Sequence, residues 1–430
     1  MAKKYIDANV YDAAIDRLKY VFDTFERVVV AFSGGKDSGV LLNLTYDYAK
    51  QNGQLHKMAM YHLDYEAQYQ MTTDYVTETF EKFNDIDRYW LCLPIRAQSA
   101  VSNYEYGWIP FDRDKKGLWV RDIPEYDYVI NESNVPFPFE KGQWDYTVQY
   151  NFTQWLSKDK KTATLIGIRS DESLNRYRAI KGNHKVNQHD KKDWITKDGD
   201  TFKVYPIYDW EVTDIWTYNA KFEKPYNKLY DLYYQAGLSI DQMRVASPFN
   251  DAAIGTLNLY QVIDPNNWAK MVGRVKGVNF AGIYGGTTAM GWKSIKLPAG
   301  HTWKSYLEFL LTTLPTDVAD GYKQKFQTSI DFWQTKGGVL DETTIHELRE
   351  IGLKFKVGEK TNYNTEKLPV TFESYPDDAD VTNFKSVPSY KRMAICIMKN
   401  DHLCKYMGFA PTKEETKRRS EAIEKYRNLL

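Results

Sequence analysis

A short polar loop between an apolar strand and an amphipathic helix constrains the fold of this chain most strongly. Arg27-Val-Val-Val-Ala-Phe32 has the composition of a fully buried parallel strand. Ser33-Gly34-Gly35-Lys36-Asp37-Ser38 follows at once, and apolar residues at helical spacing resume over residues 38–48. This order of strand, glycine loop and helix predicts an α/β fold.

The chemistry of this loop points to an anion. Unpaired N–H groups and the positive end of the helix dipole meet at a helix N-terminus. The two glycines let the backbone approach phosphate oxygens, the two serines add hydroxyl donors, and Lys36 adds a mobile positive charge. Asp37 would be repelled by phosphate alone, so it indicates either a bridging magnesium ion or a structural cap. An ordinary N-cap turn is the alternative for the whole segment.

Further strands and helices alternate along the first half of the chain. Residues 57–63, 88–93 and 162–168 read as strands, and residues 67–83 read as a helix between the first two. An insertion at about 96–148, rich in Trp, Pro and Tyr, is expected to fold over one end of the sheet. The pattern predicts an α/β fold with a doubly wound parallel sheet.

A second polar segment follows the strand at 162–168. It reads Gly167-Ile168-Arg169-Ser170-Asp171-Glu172-Ser173-Leu174-Asn175-Arg176. Because open α/β sheets bind ligands at the carboxyl edge of their strands, this segment is expected beside Ser33. Its two arginines suit phosphate or sulfate oxygens, and Asp171 or Glu172 can orient an arginine or hold a metal. A surface salt-bridge cluster is the alternative.

Asp64 closes the strand at 57–63 and is expected at the same edge. There it could contact ribose or magnesium, or it could cap a helix N-terminus.

These motifs resemble those of the PP-loop nucleotide α-hydrolase superfamily. Gly167–Arg176 and the segment at 206–218 are similar to the phosphoadenosine phosphosulfate reductase-like branch, so the resemblance covers about residues 25–220. It implies ATP or a sulfonucleotide as ligand, Mg²⁺ as cofactor, and catalytic roles for Lys36 and Arg169. It also places Leu63 and Asp64 beside the nucleoside, although this chain has Asp-Tyr-Glu where reductases tend to have Asp-Thr-Gly.

The alternation of strands and helices fades in the second half of the chain. We expect a nucleotide-binding α/β domain over residues 1–240 and a mostly helical domain over 241–430, with a glycine-rich turn region and a charged final helix at 412–430. The segments at 244–251, 298–304 and 388–396 resemble the domain of unknown function found in immunoglobulin-binding regulator A-type proteins. That resemblance suggests a protein partner for this domain.

The three cysteines, Cys92, Cys396 and Cys404, argue against reductase chemistry. The reductases of this branch use a thiolate in a Glu-Cys-Gly motif, which this sequence lacks. Cys396, His402 and Cys404 could supply three metal ligands, but a fourth is not apparent, and burial as small apolar side chains is the simpler interpretation.

Charge and hydropathy narrow the possible partners. Lys plus Arg and Asp plus Glu both number 57, so net charge does not indicate nucleic-acid binding. No apolar run approaches the roughly 20 residues that span a membrane, and the first residues lack a signal-peptide core. We therefore expect a cytoplasmic protein without a membrane partner.

Three functions fit the sequence. The first is cleavage of ATP at the α-phosphate, with adenylyl transfer and release of pyrophosphate. The second is a regulator that senses a nucleotide or sulfonucleotide without turnover. The third, and least favoured, is a thiol-dependent sulfonucleotide reductase.

Overall fold

The structure is a computed structural model. It describes residues 7–102, 105, 107–181, 188–190, 192–250, 253–284, 297–359 and 365–409.

An eight-stranded sheet forms the centre of the first half of the chain. Its order is β6 (Val129–Asn131), β3 (Asp87–Cys92), β2 (Met58–Leu63), β1 (Arg27–Ala31), β7 (Thr162–Ile166), β10 (Thr201–Val204), β9 (Lys192–Asp198) and β8 (Gln188–His189). The first six strands pair in parallel, and the last two add an antiparallel extension. The predicted doubly wound parallel sheet is confirmed.

Helices cover both faces of this sheet. The helices of this half are α1 (Val10–Thr24), α2 (Lys36–Gln51), α3 (Gln70–Lys82), α4 (Asp145–Leu156), α5 (Leu174–Lys181), α6 (Val212–Lys221) and α7 (Leu229–Gln235). Along β1, Val28 and Val30 join one apolar cluster with residues of α1 and α2, while Val29 joins another that includes Phe152 of α4. Side chains of a strand alternate between faces, so the unbroken valine run reflects burial on both sides.

The insertion at 96–148 contributes secondary structure of its own. It contains the short pair β4 (Ala97–Gln98) and β5 (Gly107–Trp108) and a 3₁₀ helix at Arg113–Leu118. It also supplies β6, which pairs with residues Trp90 to Cys92 and forms the sheet edge. Three residues are too few to show a strand period, so the sequence did not reveal β6.

The polar residues of β8 and β9 extend the sheet beyond β10. A hairpin turn at Asp198-Gly199 joins β9 to β10, since Thr201 pairs with Asp198 across the turn and Gly199 has φ of +63°. Residues 182–187 and 191 lie outside the described residues.

The second half is largely helical, as predicted. It contains α8 (Tyr260–Ile263), α9 (Pro265–Arg274), α10 (Val278–Tyr284), α11 (Trp303–Thr312), α12 (Thr316–Thr335), α13 (Glu342–Glu350) and α14 (Tyr390–Met398), with 3₁₀ helices at Ile254–Leu259, Phe384–Ser386 and Lys405–Met407. A small antiparallel sheet of β11 (Gly338–Leu340), β13 (Leu368–Phe372) and β12 (Phe355–Val357) was not predicted. Much of the glycine-rich turn region and the helix at 412–430 lie outside the described residues.

The start of the second half packs against the first half. Residues of α7 to α10 share one apolar cluster with Ala67, Tyr69 and Trp108, whereas two further clusters contain only residues beyond 296. The later part reaches the insertion through Asn400, which donates to the Ala100 carbonyl over 3.1 Å, and His402, whose Nε2 lies 3.3 Å from the Ser102 carbonyl. The boundary near residue 240 stays a prediction.

Within the described residues, no helix combines the length and the apolar character that crossing a membrane requires.

Candidate functional site

The glycine loop joins the carboxyl end of β1 to the N-terminus of α2. Ser33 is exposed and the rest of the loop is buried. Gly34 has φ of +76°, and a Cβ there would lie 2.9 Å from Val76 Cγ2. Glycine is therefore required at this position for both its backbone conformation and its lack of a side chain.

The two serines of the loop bond to each other. Ser38 Oγ accepts from the Ser33 N–H over 3.1 Å, lies 3.0 Å from Ser33 Oγ and donates to the Gly35 carbonyl over 3.1 Å. These bonds fix the loop geometry. Ser33, which is exposed, is the serine that a phosphate could reach from solvent.

The second predicted segment meets this loop. Gly167 follows β7 directly, and a Cβ at this position would lie 3.0 Å from the Asp37 carbonyl oxygen and from the Ser38 nitrogen. Arg169 then extends to Asp37, with its Nε 2.6 Å from Asp37 Oδ1. The structure thus brings together the two segments that the sequence analysis placed at one sheet edge.

Asp37 is held between two cations. Its Oδ1 contacts Arg169 and its Oδ2 lies 3.1 Å from Lys36 Nζ. Burial opposes ionisation of Asp37, but the nearby Lys36 ammonium and Arg169 guanidinium outweigh it and lower its pKa. Burial likewise disfavours the charged form of Arg169, yet Asp37 raises its pKa. Of the two predicted roles for Asp37, this geometry favours the structural one.

The carboxylates of the second segment orient its arginines. Asp171 accepts from Arg169 Nη1 over 2.7 Å. Glu172 accepts from the Arg169 N–H over 3.2 Å and pairs with Arg176. Only 4% of the Arg169 side chain is exposed, and two carboxylates, Asp37 and Asp171, position its guanidinium in a largely buried site.

Residues beyond 220 complete the site through contacts with the glycine loop that were not predicted. Tyr230 of α7 accepts from the Lys36 N–H through its hydroxyl over 3.0 Å, and the Met243 carbonyl accepts from Lys36 Nζ over 3.3 Å. Asn227 donates to the Gly34 carbonyl over 3.1 Å. Burial raises the pKa of Tyr230, so its hydroxyl stays protonated at neutral pH. No local sequence pattern marked these contacts.

A small open cavity lies where these parts meet. Its volume is about 90 Å³. Lys36, Arg169, Asp171 and Glu172 from the two predicted segments line it, together with Ile240, Asp241 and Arg244 from the start of the second half.

Asp64 follows β2 directly and lies in a buried ion pair. It is fully buried, accepts from Trp90 Nε1 over 2.7 Å and from the Glu66 N–H over 2.8 Å, and pairs with Arg121 of the insertion. Burial opposes its ionisation, but Arg121 lowers its pKa. Neither Asp64 nor its neighbour Leu63, which is also buried, is among the residues that line the cavity. These contacts make Asp64 a structural ion-pair partner, and its contact with ribose or magnesium stays a prediction.

Glu66 forms a second buried ion pair at this edge. Its carboxylate accepts from the N–H groups of Phe111 and Val120 over 2.6 and 2.9 Å and from Arg274 Nε over 3.1 Å. Glu66 has φ of +63°. This network connects the end of β2, the insertion and α9.

The cysteines offer no accessible thiol. Cys92, Cys396 and Cys404 are all fully buried. Burial raises the pKa of both Cys92 and Cys396 well above the ordinary value, which disfavours the reactive thiolate. Among the residues that the structure describes, no group of three or more His, Cys, Asp or Glu side chains could hold a metal ion.

Comparison with known proteins identifies two family matches. The phosphoadenosine phosphosulfate reductase domain matches residues 129–236, and the domain of unknown function DUF3440 matches residues 237–418. The uncharacterized protein YbdN of Escherichia coli (strain K12) is 33% identical over 417 residues, which are 96% of this chain and 93% of that protein.

Two solved structures match part of this chain with low similarity. Candida auris phosphoadenylyl-sulfate (PAPS) reductase, in complex with phosphate, has a TM-score of 0.31 and 15% identity, over 57% of this chain and 98% of that one. Candida glabrata FMN adenylyltransferase has a TM-score of 0.31 and 17% identity, over 53% of this chain and 62% of that one.

Proposed function

The chain belongs to the phosphoadenosine phosphosulfate reductase-like family of PP-loop proteins with a C-terminal DUF3440 domain, and on this premise we propose that it cleaves ATP at the α-phosphate. The observation that carries the proposal is the contact of Lys36 and Arg169 with one carboxylate, Asp37, at the adjoining carboxyl ends of β1 and β7. Two cations from two different segments converge at the position where open α/β sheets bind nucleotides.

In this reaction an acceptor oxygen attacks the α-phosphorus, the bond from that phosphorus to the bridging oxygen breaks, and pyrophosphate leaves. The loop N–H groups and Lys36 would bind the phosphates, and Lys36 with Arg169 would neutralise the charge that develops on the leaving pyrophosphate. An anion at the loop would compete with the Met243 carbonyl for the Lys36 ammonium. A cytoplasmic location is part of this proposal.

Magnesium suits this site as an ion that arrives with the nucleotide. Mg²⁺ is commonly bound by one or two carboxylates together with substrate phosphates. Asp171 and Glu172 line the cavity and would supply those carboxylates by giving up part of their contacts with Arg169 and Arg176. The ion would supply positive charge that offsets the charge of the phosphates.

Product analysis tests the proposal. With Mg²⁺, ATP labelled at the α-phosphate and a panel of acceptors, the wild-type protein should form labelled AMP or an AMP conjugate and release pyrophosphate. Lys36→Ala should lower the rate by about 100-fold or more, the typical effect of removing one transition-state donor. Lys228→Gln is the matched control, because Lys228 is an exposed lysine that does not line the cavity. Formation of ADP and phosphate alone, or of no product with any acceptor, would refute the proposal.

A second candidate is a nucleotide- or sulfonucleotide-sensing regulator without turnover. It is favoured by the contacts of Lys36 with Tyr230 and Met243, because a ligand at the loop would disturb the start of the second half directly. Hydrogen exchange over residues 237–284 should then change when nucleotide is added, while the nucleotide is recovered intact. A protein partner of the second half should bind with an affinity that depends on the nucleotide.

The third candidate, a thiol-dependent reductase, is disfavoured by the burial of all three cysteines. It predicts release of sulfite from a sulfonucleotide, and loss of that release in Cys404→Ser.

A further inference from the structure

We infer that Arg244, at the start of the DUF3440 region, is a binding residue that recognises a second phosphate or sulfate group of the nucleotide. This inference rests on the proposed nucleotide binding and assigns part of the site to the second half of the chain. Arg244 lines the cavity that Lys36 and Arg169 also line.

Met243 and Arg244 together contact both segments of the site. The carbonyl of the preceding residue, Met243, accepts from Lys36 Nζ over 3.3 Å. Arg244 Nη2 donates to the Glu172 carbonyl over 2.9 Å. These two bonds hold the Arg244 side chain at the junction of the glycine loop and the Gly167–Arg176 segment.

The charges around the cavity distinguish Arg244 from the other cations. Lys36 and Arg169 share Asp37, and Arg169 also contacts Asp171. The contact between Arg244 and Glu172 is with a neutral carbonyl, so it leaves the guanidinium charge in place. It also occupies one of the five N–H donors of the guanidinium. Asp241, the acidic neighbour on the cavity wall, is exposed and therefore screened by solvent.

A guanidinium with this charge and these donors suits a tetrahedral oxyanion. Its planar fork matches two oxygens of a phosphate or sulfate group. An adenine nucleotide offers such a second group in two places, namely beyond the α-phosphate, as in ADP, or on the 3′ oxygen, as in adenosine 3′,5′-bisphosphate. AMP has neither group, so it serves as the reference ligand.

The test compares the affinities of these three nucleotides for wild-type protein and Arg244→Gln. The dissociation constants of AMP for the two proteins should agree within about threefold. ADP or the bisphosphate should bind the variant about 10- to 100-fold more weakly than the wild-type protein, which is the range for a charge-assisted hydrogen bond. Selective loss of ADP affinity locates the group beyond the α-phosphate, and selective loss of bisphosphate affinity locates it on the 3′ oxygen.

Two further variants separate the effect of the Arg244 fork from the effect of losing a positive charge. Arg244→Lys keeps the charge without the fork and should recover part of the lost affinity. Arg349→Gln removes an exposed arginine of α13 and should change no affinity. The inference is overturned if Arg244→Gln weakens all three nucleotides equally, which would mean that Arg244 only positions the Glu172 segment, or if it weakens none of them. Failure of the wild-type protein to bind any of the three, or binding unaffected by Lys36→Ala, would instead refute the proposed nucleotide binding and the inference with it.

Discussion

Replacing Asp37 with Asn tests whether this carboxylate is a structural partner of two cations or a magnesium ligand. The substitution keeps the size of the side chain and removes its charge. Arg169, whose side chain is 4% exposed, then loses one of its carboxylates, and Lys36 loses the contact that its Nζ makes over 3.1 Å. We expect the folded state to lose stability and the phosphate site to become more positive.

The size of the stability loss follows from burial. Breaking a buried ion pair by removing one partner costs about 3–5 kcal/mol. Asp171 still contacts Arg169, so we expect the lower end, about 3 kcal/mol. For a domain of about 150–250 residues this free energy lowers the melting temperature by about 6–12 °C.

The pH dependence gives a second readout. The pKa of Asp37 is lowered in the folded state, so its ionisation contributes stability above the unfolded-state pKa of about 3.9. That contribution is lost as the pH falls through the lower folded-state pKa. The difference in melting temperature between wild type and Asp37→Asn should therefore be full at pH 7 and shrink below about pH 4.

Thermal melting and nucleotide titration, each with and without Mg²⁺, measure these effects. Asp320→Asn is the control, because Asp320 makes an exposed pair with Lys323 and should change stability by less than about 0.5 kcal/mol. The structural interpretation predicts lower stability with nucleotide affinity kept or increased. Unchanged stability, together with a loss of affinity only when Mg²⁺ is present, would refute it.

Three other substitutions or conditions test separate parts of the account. Gly167→Ala places a Cβ 3.0 Å from the Ser38 nitrogen, so it should weaken nucleotide binding in titrations, whereas Gly255→Ala, with no atom within 4 Å of its Cβ, should not. Glu66→Gln leaves the buried Arg274 without its charge partner and should lower the unfolding free energy by about 3–5 kcal/mol in denaturant titrations; a loss below 1 kcal/mol would contradict this. Burial lowers the pKa of His402 to about 4. The unfolded chain therefore binds the proton more readily than the folded chain, and stability should fall as the pH drops from about 6.5 towards 4. Over the same pH range, the melting temperature of His402→Gln should fall less than that of the wild-type protein.

The sequence was informative where local pattern decides structure. The valine run of β1, the two glycines and the helical spacing after them are adjacent in the chain, so strand, loop and helix α2 could be predicted together. The position of Arg169 near the loop followed from the rule that parallel strands end at a common sheet edge. Its contact with Asp37 required β7 to lie beside β1, and this pairing comes from the tertiary structure.

The rest of the site depends on contacts between distant parts of the chain. Tyr230 and Met243 contact Lys36 across 194 and 207 residues, and Met243 does so through its backbone carbonyl, which carries no residue-specific signal. The environment of Asp64 depends on Arg121, 57 residues away, in an insertion without a clear strand or helix period. The small sheet of β11 to β13 was missed because strands of three to five residues are too short for a reliable alternation.

The most direct test of the central claim is a crystal structure of the wild-type protein with a non-hydrolysable ATP analogue. We expect phosphate oxygens within hydrogen-bond distance of the Ser33–Ser38 loop and of Lys36, with Arg169 facing the bond between the α- and β-phosphates. A nucleotide bound elsewhere, with the contacts of Lys36 to Asp37 and Met243 unchanged, would contradict the account.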